Sequence, residues 1–347
     1  MRKWYEAGGR EDDIVVVSRI RLLRNLKGYK FPARLSADEK KELNQSIGKA
    51  LEVLPARFGQ TFETCTLDEF SDIHKMALKE RHVINQSALD SDSSIGVTLS
   101  ADESISITTN ANDHIRILVS RSGLDLEEAL KDANKVDDAI NETFEYAFDE
   151  KLGYMTAFPT NMGTGLHAYL ILHLPLLSSS RKFRVLLDGI SRYGVAVKGA
   201  FEAGNDNPGS LFVLYNQKTL GVSEKDIVQV LTKVAGQLAS QERAVRKYSV
   251  ESHRDEIEDC IYRSYGILKY ARTITFKDAM NYLSQLRWGM EMNLLPVEEM
   301  IPCYQLMLGV QPANLQVLYD RPMKQEELDR VRASYLRQFL PPLEPET

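Results

Sequence analysis

The 347 residues carry a formal net charge of −6, a pI near 5.7 and 43% hydrophobic residues. This length and apolar content predict a globular chain of two domains, while the acidic balance excludes nucleic-acid binding through a broad basic surface, which needs clustered Lys and Arg. No apolar run reaches the roughly 20 residues of a membrane span, and "MRKWYEAGGREDD" lacks the apolar segment of a secretory signal, so a cytoplasmic protein with no membrane contact is expected.

"DIVVVSRIRLLRN" opens with a β-branched run and then alternates, Ile20 and Leu22 pointing one way and Arg19 and Arg21 the other. "SADEKKELNQSIGKAL" reads as a helix with Ser36 as its N-cap. Residues 96 to 119 read as strands, "SISITT" and "HIRILVS" forming a hairpin around the polar turn of Asn110, Asn112, Asp113 and His114. There His114 and Arg116, two apart, would share a face. Leu126, Ala129, Leu130, Ala133, Val136, Ile140, Phe144 and Ala147 recur at helical spacing and predict one amphipathic helix over 125–149. "YMTAFPTNMGTG" reads as a short strand entering a glycine-bearing loop, and "LHAYLILHL" as the start of a buried helix. A second buried helix follows "YNQKTLG", where Ser223 and Asp226 approximate a capping box. Beyond about residue 250 the β signal ends, and "ESHRDEIEDCIYRSYGIL", "TFKDAMNYLSQLRWGMEMNLL" and "QEELDRVRASYLRQFL" read as helices. Strands and helices do not alternate in βαβ units, which favours an α+β fold with an antiparallel sheet over residues 1–248 and an all-α domain over 249–347.

Cys65, Cys260 and Cys303 have neither disulfide nor metal-ligand spacing and are expected to be buried free thiols, with no metal site. Neither the G-x-x-x-x-G-K-[ST] nor the G-x-G-x-x-G signature is present, so any nucleotide site must be built from side-chain cations. Arg19, Arg21 and Arg116 can each grip a phosphate through a bidentate fork; read alone, paired arginines on a strand are more often a solvated face. Gly163 to Gly165, ahead of the expected helix, could receive an anion or simply form a turn.

"VVSRIRLLRN", "NANDHIRI", "FPTNMGTGLHA", "AVKGAFEAG", "YNQKTLGVSEKDIV" and "DEIEDCIYRSYGIL", in this order and spacing, resemble the bacterial protein arginine kinases of the McsB type, relatives of the phosphagen kinases. The resemblance spans nearly the whole chain. It implies a glutamine-synthetase-like catalytic domain whose antiparallel sheet is flanked by helices, ATP with Mg²⁺ as cofactor, and phosphoryl transfer to a protein arginine. Ser18, Arg19, Arg21, His82, Arg116, His167 and Lys198 would then hold the nucleotide. Dimerisation, as a homodimer or with an active kinase, is implied for the helical domain. So is recognition of phosphoarginine-bearing proteins by Asp329, Arg332 and Ala333, with a McsA-like activator and the Clp protease system as partners. A free-arginine phosphagen kinase is disfavoured, because the chain lacks the extra N-terminal helical domain of those enzymes.

The departures from the family pattern concentrate in the catalytic positions. The family's N-E-E-D-H turn has Ala111 and Asn112 at its glutamates, and the R-G-x-x-G-E loop has Lys198 and Ala203 for its arginine and glutamate. Phe158 replaces the cysteine of "CPTN", His167 replaces a phosphate-binding arginine, and Leu328 replaces the first arginine of R-D-x-x-R-A. Losing a general base costs about 10² to 10⁴ in rate, and a guanidinium nucleophile depends on one. A catalytically impaired pseudokinase with a regulatory or phosphoarginine-binding role is therefore expected. The rival is an active kinase in which Asp113, Glu202 or Asp206 supplies a relocated carboxylate.

Overall fold

The computed structural model describes residues 2–91, 94–201, 206–297 and 300–343. Its strands are β1 (Val15–Arg24), β2 (Phe62–Thr66), β3 (Gly96–Ser100), β4 (Ile105–Thr109), β5 (Ile115–Ser122), β6 (Phe148–Asp149), β7 (Gly153–Tyr154), β8 (Leu166–His173), β9 (Val195–Gly199) and β10 (Leu211–Asn216). Eight of them form one sheet in the order β2-β3-β4-β5-β1-β8-β10-β9, and β6 and β7 form a small ribbon. Every pairing in the large sheet is antiparallel. The helices are α1 (Ala37–Leu51), α2 (Leu54–Phe58), α3 (Asp72–Glu80), α4 (Gln86–Leu89), α5 (Leu126–Asn141), α6 (Pro175–Ser179), α7 (Phe183–Ser191), α8 (Glu224–Tyr270), α9 (Phe276–Glu291), α10 (Cys303–Gly309), α11 (Pro312–Leu318) and α12 (Gln325–Phe339). The α+β class with a helical C-terminal region is as expected. Among the described residues no helix is long and apolar enough to cross a membrane.

Period-two alternation gives the sheet two unlike faces. Ile20 and Leu22 of β1, Ile115, Ile117 and Val119 of β5, and Ala168, Leu170 and Leu172 of β8 are buried against α5 and the first half of α8 in one apolar core. Arg19, Arg21, Arg116 and Tyr169 project from the other face. A second core joins α9, α10, α11 and α12 to Val17 of β1, Ile171 of β8 and Leu211 of β10, so the helical region packs directly on the sheet.

Two helix caps match their sequence signals: Ser36 accepts from Glu39 N and Ser223 accepts from Asp226 N. Other expectations fail. "LHAYLILHL" is strand β8, not a helix, and it pairs with both β1 and β10. The loop Gly163 to Gly165 consequently leads into a strand and offers no helix N-terminus to an anion. Its glycines answer a steric need: a Cβ on Gly163 would fall 2.2 Å from Thr219 O. The helix expected over 125–149 ends at Asn141, because the following residues bond to the end of β1, with Lys27 N donating to Glu145 O and Ala147 N to Asn25 O. The helices expected on either side of residue 250 are present and run end to end along α8, broken at His253, whose φ of −143° and ψ of 41° are not helical. Of the thiols only Cys303 is buried; Cys65 is half-buried and Cys260 is exposed, which corrects the expectation for both.

Candidate functional site

The polar face of the sheet floors a cavity of about 570 Å³. Arg19, Arg21, Arg116 and Tyr169 line it from the central strands, His82 and Lys198 from its sides, and Tyr304 and Gln311 from the C-terminal helices. Among the described residues none of the three arginines forms an ion pair. Arg19 Nε donates to Ser120 Oγ at 2.9 Å, Arg21 Nη2 to Asn161 Oδ1 at 3.2 Å and Arg116 Nη1 to Val83 O at 3.3 Å. Arg19 Nη2, Arg21 Nε and Arg116 Nε are buried with no acceptor. Burial, with Arg21 and Arg19 adding repulsion, pulls the Arg116 guanidinium down to about 9. Burial also lowers Arg19. His82, held at a left-handed φ of 64°, is driven well below its ordinary value by burial and by the charges of Arg19 and Arg116. Converging, uncompensated N–H donors of this kind fit a multiply charged anion, and the phosphates of a nucleotide meet that requirement.

Two residues assigned to the nucleotide by resemblance, Ser18 and His167, do not line this cavity. Ser18 alternates with Arg19 and faces away from the cavity, its Oγ donating to Gly123 O at 2.7 Å and accepting from Asp125 N at 2.8 Å. His167 is beside the cavity, stacked on Tyr169, and its Nε2 donates to Asn161 Oδ1 at 2.8 Å. Burial, then the charge of Arg21, lowers His167 to about 4, so it carries no positive charge near neutrality.

A smaller cavity of about 140 Å³ adjoins the first, sharing Arg21, Arg116 and Asn85 with it. Its remaining wall includes Ala111, Asn112, Asp113, Phe158 and Asn161. Asn112 is exposed at the rim and Phe158 is 51% exposed. Among the described residues Asp113 supplies the one carboxylate of this wall, and its Oδ1 accepts from Asn25 Nδ2 at 2.6 Å and from Ala157 N at 2.7 Å. Burial raises its pKa against these two bonds. His114, expected to face the same way as Arg116, accepts from Leu26 N through Nδ1 and contacts Lys30 O through Nε2, and so anchors the loop after β1. Asp206 is exposed and paired with Lys277 at 2.6 Å. Glu202 and Ala203 lie outside the described residues.

In the helical region, Arg332 is 0% exposed, although it stands on a charged helix where an arginine ordinarily faces solvent. Its Nε donates to Val310 O at 2.9 Å, and its Nη1 to Ile274 O at 3.0 Å and to Asp329 Oδ1 at 2.5 Å. Leu328 and Ala333 belong to the second core. Sequence reasoning missed Tyr304, Gln311 and Glu80, which reach the larger cavity from distant segments with no local signal. Asn161 stood inside the quoted "FPTNMGTGLHA" stretch without being singled out.

Residues 42–245 match the model of the ATP:guanido phosphotransferase C-terminal catalytic domain, and residues 254–347 match the protein-arginine kinase McsB C-terminal domain. The chain is 38% identical over 337 residues to a protein-arginine kinase of Bacillus cytotoxicus, covering 97% of this chain and 94% of that one. It is 40% identical over 334 residues to the protein-arginine kinase of Halalkalibacterium halodurans, covering 96% and 94%. Among solved structures, lombricine kinase aligns over 71% of each chain with a TM-score of 0.61 at 23% identity. The substrate-free duplicated taurocyamine kinase from Schistosoma mansoni covers 93% of this chain and 51% of its own, with a TM-score of 0.59 at 19% identity.

Proposed function

Because the chain belongs to the ATP:guanido phosphotransferase family, and within it to the protein-arginine kinases, we propose that it binds ATP in the arginine-floored cavity while phosphoryl transfer to protein arginine is severely impaired. The observation that carries this reading is the contrast between the two adjoining cavities. Three guanidinium groups present acceptor-free N–H bonds in the larger one, whereas among the described residues the smaller one offers Asn112 at its rim and a single carboxylate, Asp113, whose Oδ1 is held by Asn25 and Ala157.

Bound ATP would supply the phosphoryl group, with Mg²⁺ neutralising its β and γ oxygens. Arg19, Arg21 and Arg116 would hold the phosphates against the sheet and exclude water from them. A substrate guanidinium has to lose a proton as its nitrogen attacks, and Asn112 cannot accept one. Asp113 takes both of its bonds, from Asn25 and Ala157, on Oδ1, where they fix the carboxylate to the loop ahead of Phe158, and Oδ2 is the oxygen left to accept a proton. Among the described residues Glu80 is the carboxylate of the larger cavity, and its two oxygens accept from Ala313 N and Asn314 N.

The division into residues 1–248 and 249–347, a dimer, a cytoplasmic setting and regulatory contact with an active arginine kinase, a McsA-like activator or the Clp system belong to the same proposal. Phosphoarginine recognition by Asp329, Arg332 and Ala333 has weaker support, since Arg332 commits Nε and Nη1 to the fold. The test is calorimetric titration of the full chain with Mg·ATP beside a phosphoarginine assay on an unfolded protein substrate. Binding without transfer supports the proposal; efficient transfer, or no binding, refutes it.

A further inference from the structure

The larger cavity is floored by the sheet but closed by the C-terminal helices, through Tyr304 of α10 and Gln311 ahead of α11. Both residues are buried. What holds this wall against the sheet domain is the end of α3. The carboxylate of Glu80 accepts from Ala313 N through Oε1 at 2.9 Å and from Asn314 N through Oε2 at 2.8 Å. Arg81 Nη1 donates to Asn314 Oδ1 at 3.1 Å, and Asn314 Nδ2 donates in turn to Leu308 O at 3.1 Å, tying α11 to α10. Arg81 Nε also faces Glu103 Oε2 at 3.1 Å, which fixes the guanidinium to the sheet domain.

The next residue is His82. Its φ of 64° turns the chain back so that the imidazole lines the cavity beside Arg19 and Arg116. A left-handed conformation at a residue other than glycine persists only when its surroundings fix it. Three consecutive residues thus join the two: Glu80, at the cavity wall, and Arg81 grip α11, and His82 borders the phosphate-binding arginines.

We propose that Glu80 and Arg81 are positioning residues for the nucleotide cavity, seating the C-terminal wall and His82 together so that nucleotide occupancy and the docking of α11 stabilise each other. The idea rests on the nucleotide reading above. Reciprocity is required: if docked α11 improves the cavity for nucleotide, nucleotide must tighten the docking of α11 by the same factor.

The test uses the full chain and Mg·ATP as probe. Calorimetry measures affinity for the wild type, Glu80→Ala, Glu80→Gln and Asn314→Ala, and hydrogen exchange follows the segment 311–318 with and without nucleotide. Asn314 lies outside the cavity lining, so its variant touches only the clamp and decides the matter should Glu80→Ala fail to fold. Glu80→Ala and Asn314→Ala should each weaken ATP binding about tenfold, Glu80→Gln, which keeps one acceptor oxygen, should fall between Glu80→Ala and wild type, and ATP should slow exchange across 311–318 in the wild type. Wild-type affinity in folded Glu80→Ala and Asn314→Ala, or exchange across 311–318 that ATP leaves unchanged, overturns the positioning role alone. Failure of the wild-type chain to bind ATP overturns the nucleotide reading and this role with it.

Discussion

His167 and Asn161 are joined by a hydrogen bond of 2.8 Å from imidazole Nε2 to the side-chain oxygen, and the same oxygen accepts from Arg21 Nη2 at 3.2 Å. One amide therefore organises a neutral histidine and a cationic arginine at the edge of the larger cavity. Where the family resemblance expects an arginine, the fold has a ring held to about 4 by burial and by Arg21. Protonation of His167 will not strengthen ATP binding between pH 6 and pH 8, contrary to what an ordinary histidine would do. His167→Arg should tighten ATP binding by about tenfold, as expected for one added charge-assisted contact of about 1.4 kcal/mol. Calorimetry at pH 6 and pH 8 checks both statements.

The same residue has a stability signature. Its pKa is lowered from 6.5 in the unfolded chain to about 4 in the fold, so between those values the unfolded state binds the additional proton. Stability contributed by neutral His167 is present above pH 6.5 and is lost as the pH falls toward 4. His82 and His173, both pushed well below 6.5 by burial, act in the same direction. Thermal melts should show Tm falling across this window, and His167→Gln should make the fall shallower. A melt profile that is flat from pH 6.5 to pH 4.5 contradicts the assignment.

Arg116 is buried among like charges without an acidic partner, an arrangement that costs stability in the absence of an anion. Arg116→Met should raise the Tm of the nucleotide-free protein by a few degrees and abolish the further rise produced by Mg·ATP. Differential scanning calorimetry with and without nucleotide separates the two effects. A lower Tm in the nucleotide-free variant would show that Arg116 is mainly structural.

How much of this was readable depends on where each signal resides. The alternation of Ile20 and Leu22 with Arg19 and Arg21 reports the two faces of β1 directly, because one face is dry and the other is cationic. In "LHAYLILHL" the same period is present, with Leu166, Ala168, Leu170 and Leu172 all on the core face, but Tyr169 and Ile171 make the opposite side apolar too. Alternation is then masked, and a buried strand reads as a buried helix. Arg332 misleads for a different reason. Helical spacing treats an arginine as a surface residue, whereas this one serves the carbonyls of Val310 and Ile274, which are remote in sequence. The closing wall of the cavity, from Tyr304 and Gln311, is a product of domain packing and leaves no local trace.

That burial makes Arg332 costly to remove. Arg332→Ala would leave the carbonyls of Val310 and Ile274 without this donor and take the guanidinium from Asp329, which keeps only its bond from Gln325, and should destabilise the fold by about 3 kcal/mol. Urea denaturation of the variant checks the value. A loss below about 0.5 kcal/mol would mean that the guanidinium is free to serve a ligand.

Restoring the family glutamates should reveal what the turn lacks. Asn112→Glu together with Ala203→Glu should give more phosphoarginine than the sum of the single changes, because catalytic groups that act as a unit are not additive. Rates from mass-spectrometric time courses decide it, and equal gains from each single change would count against a missing pair.

The central claim is a nucleotide site separated from phosphoryl transfer, and one measurement tests it most directly: phosphoarginine formation by the full-length wild-type chain, incubated with Mg·ATP at concentrations that saturate the calorimetric binding curve and with an unfolded protein substrate. The account predicts saturable ATP binding and phosphoarginine no higher than in a control lacking the protein. Phosphoarginine formed at a rate proportional to protein concentration, and eliminated by Arg116→Ala, would contradict it.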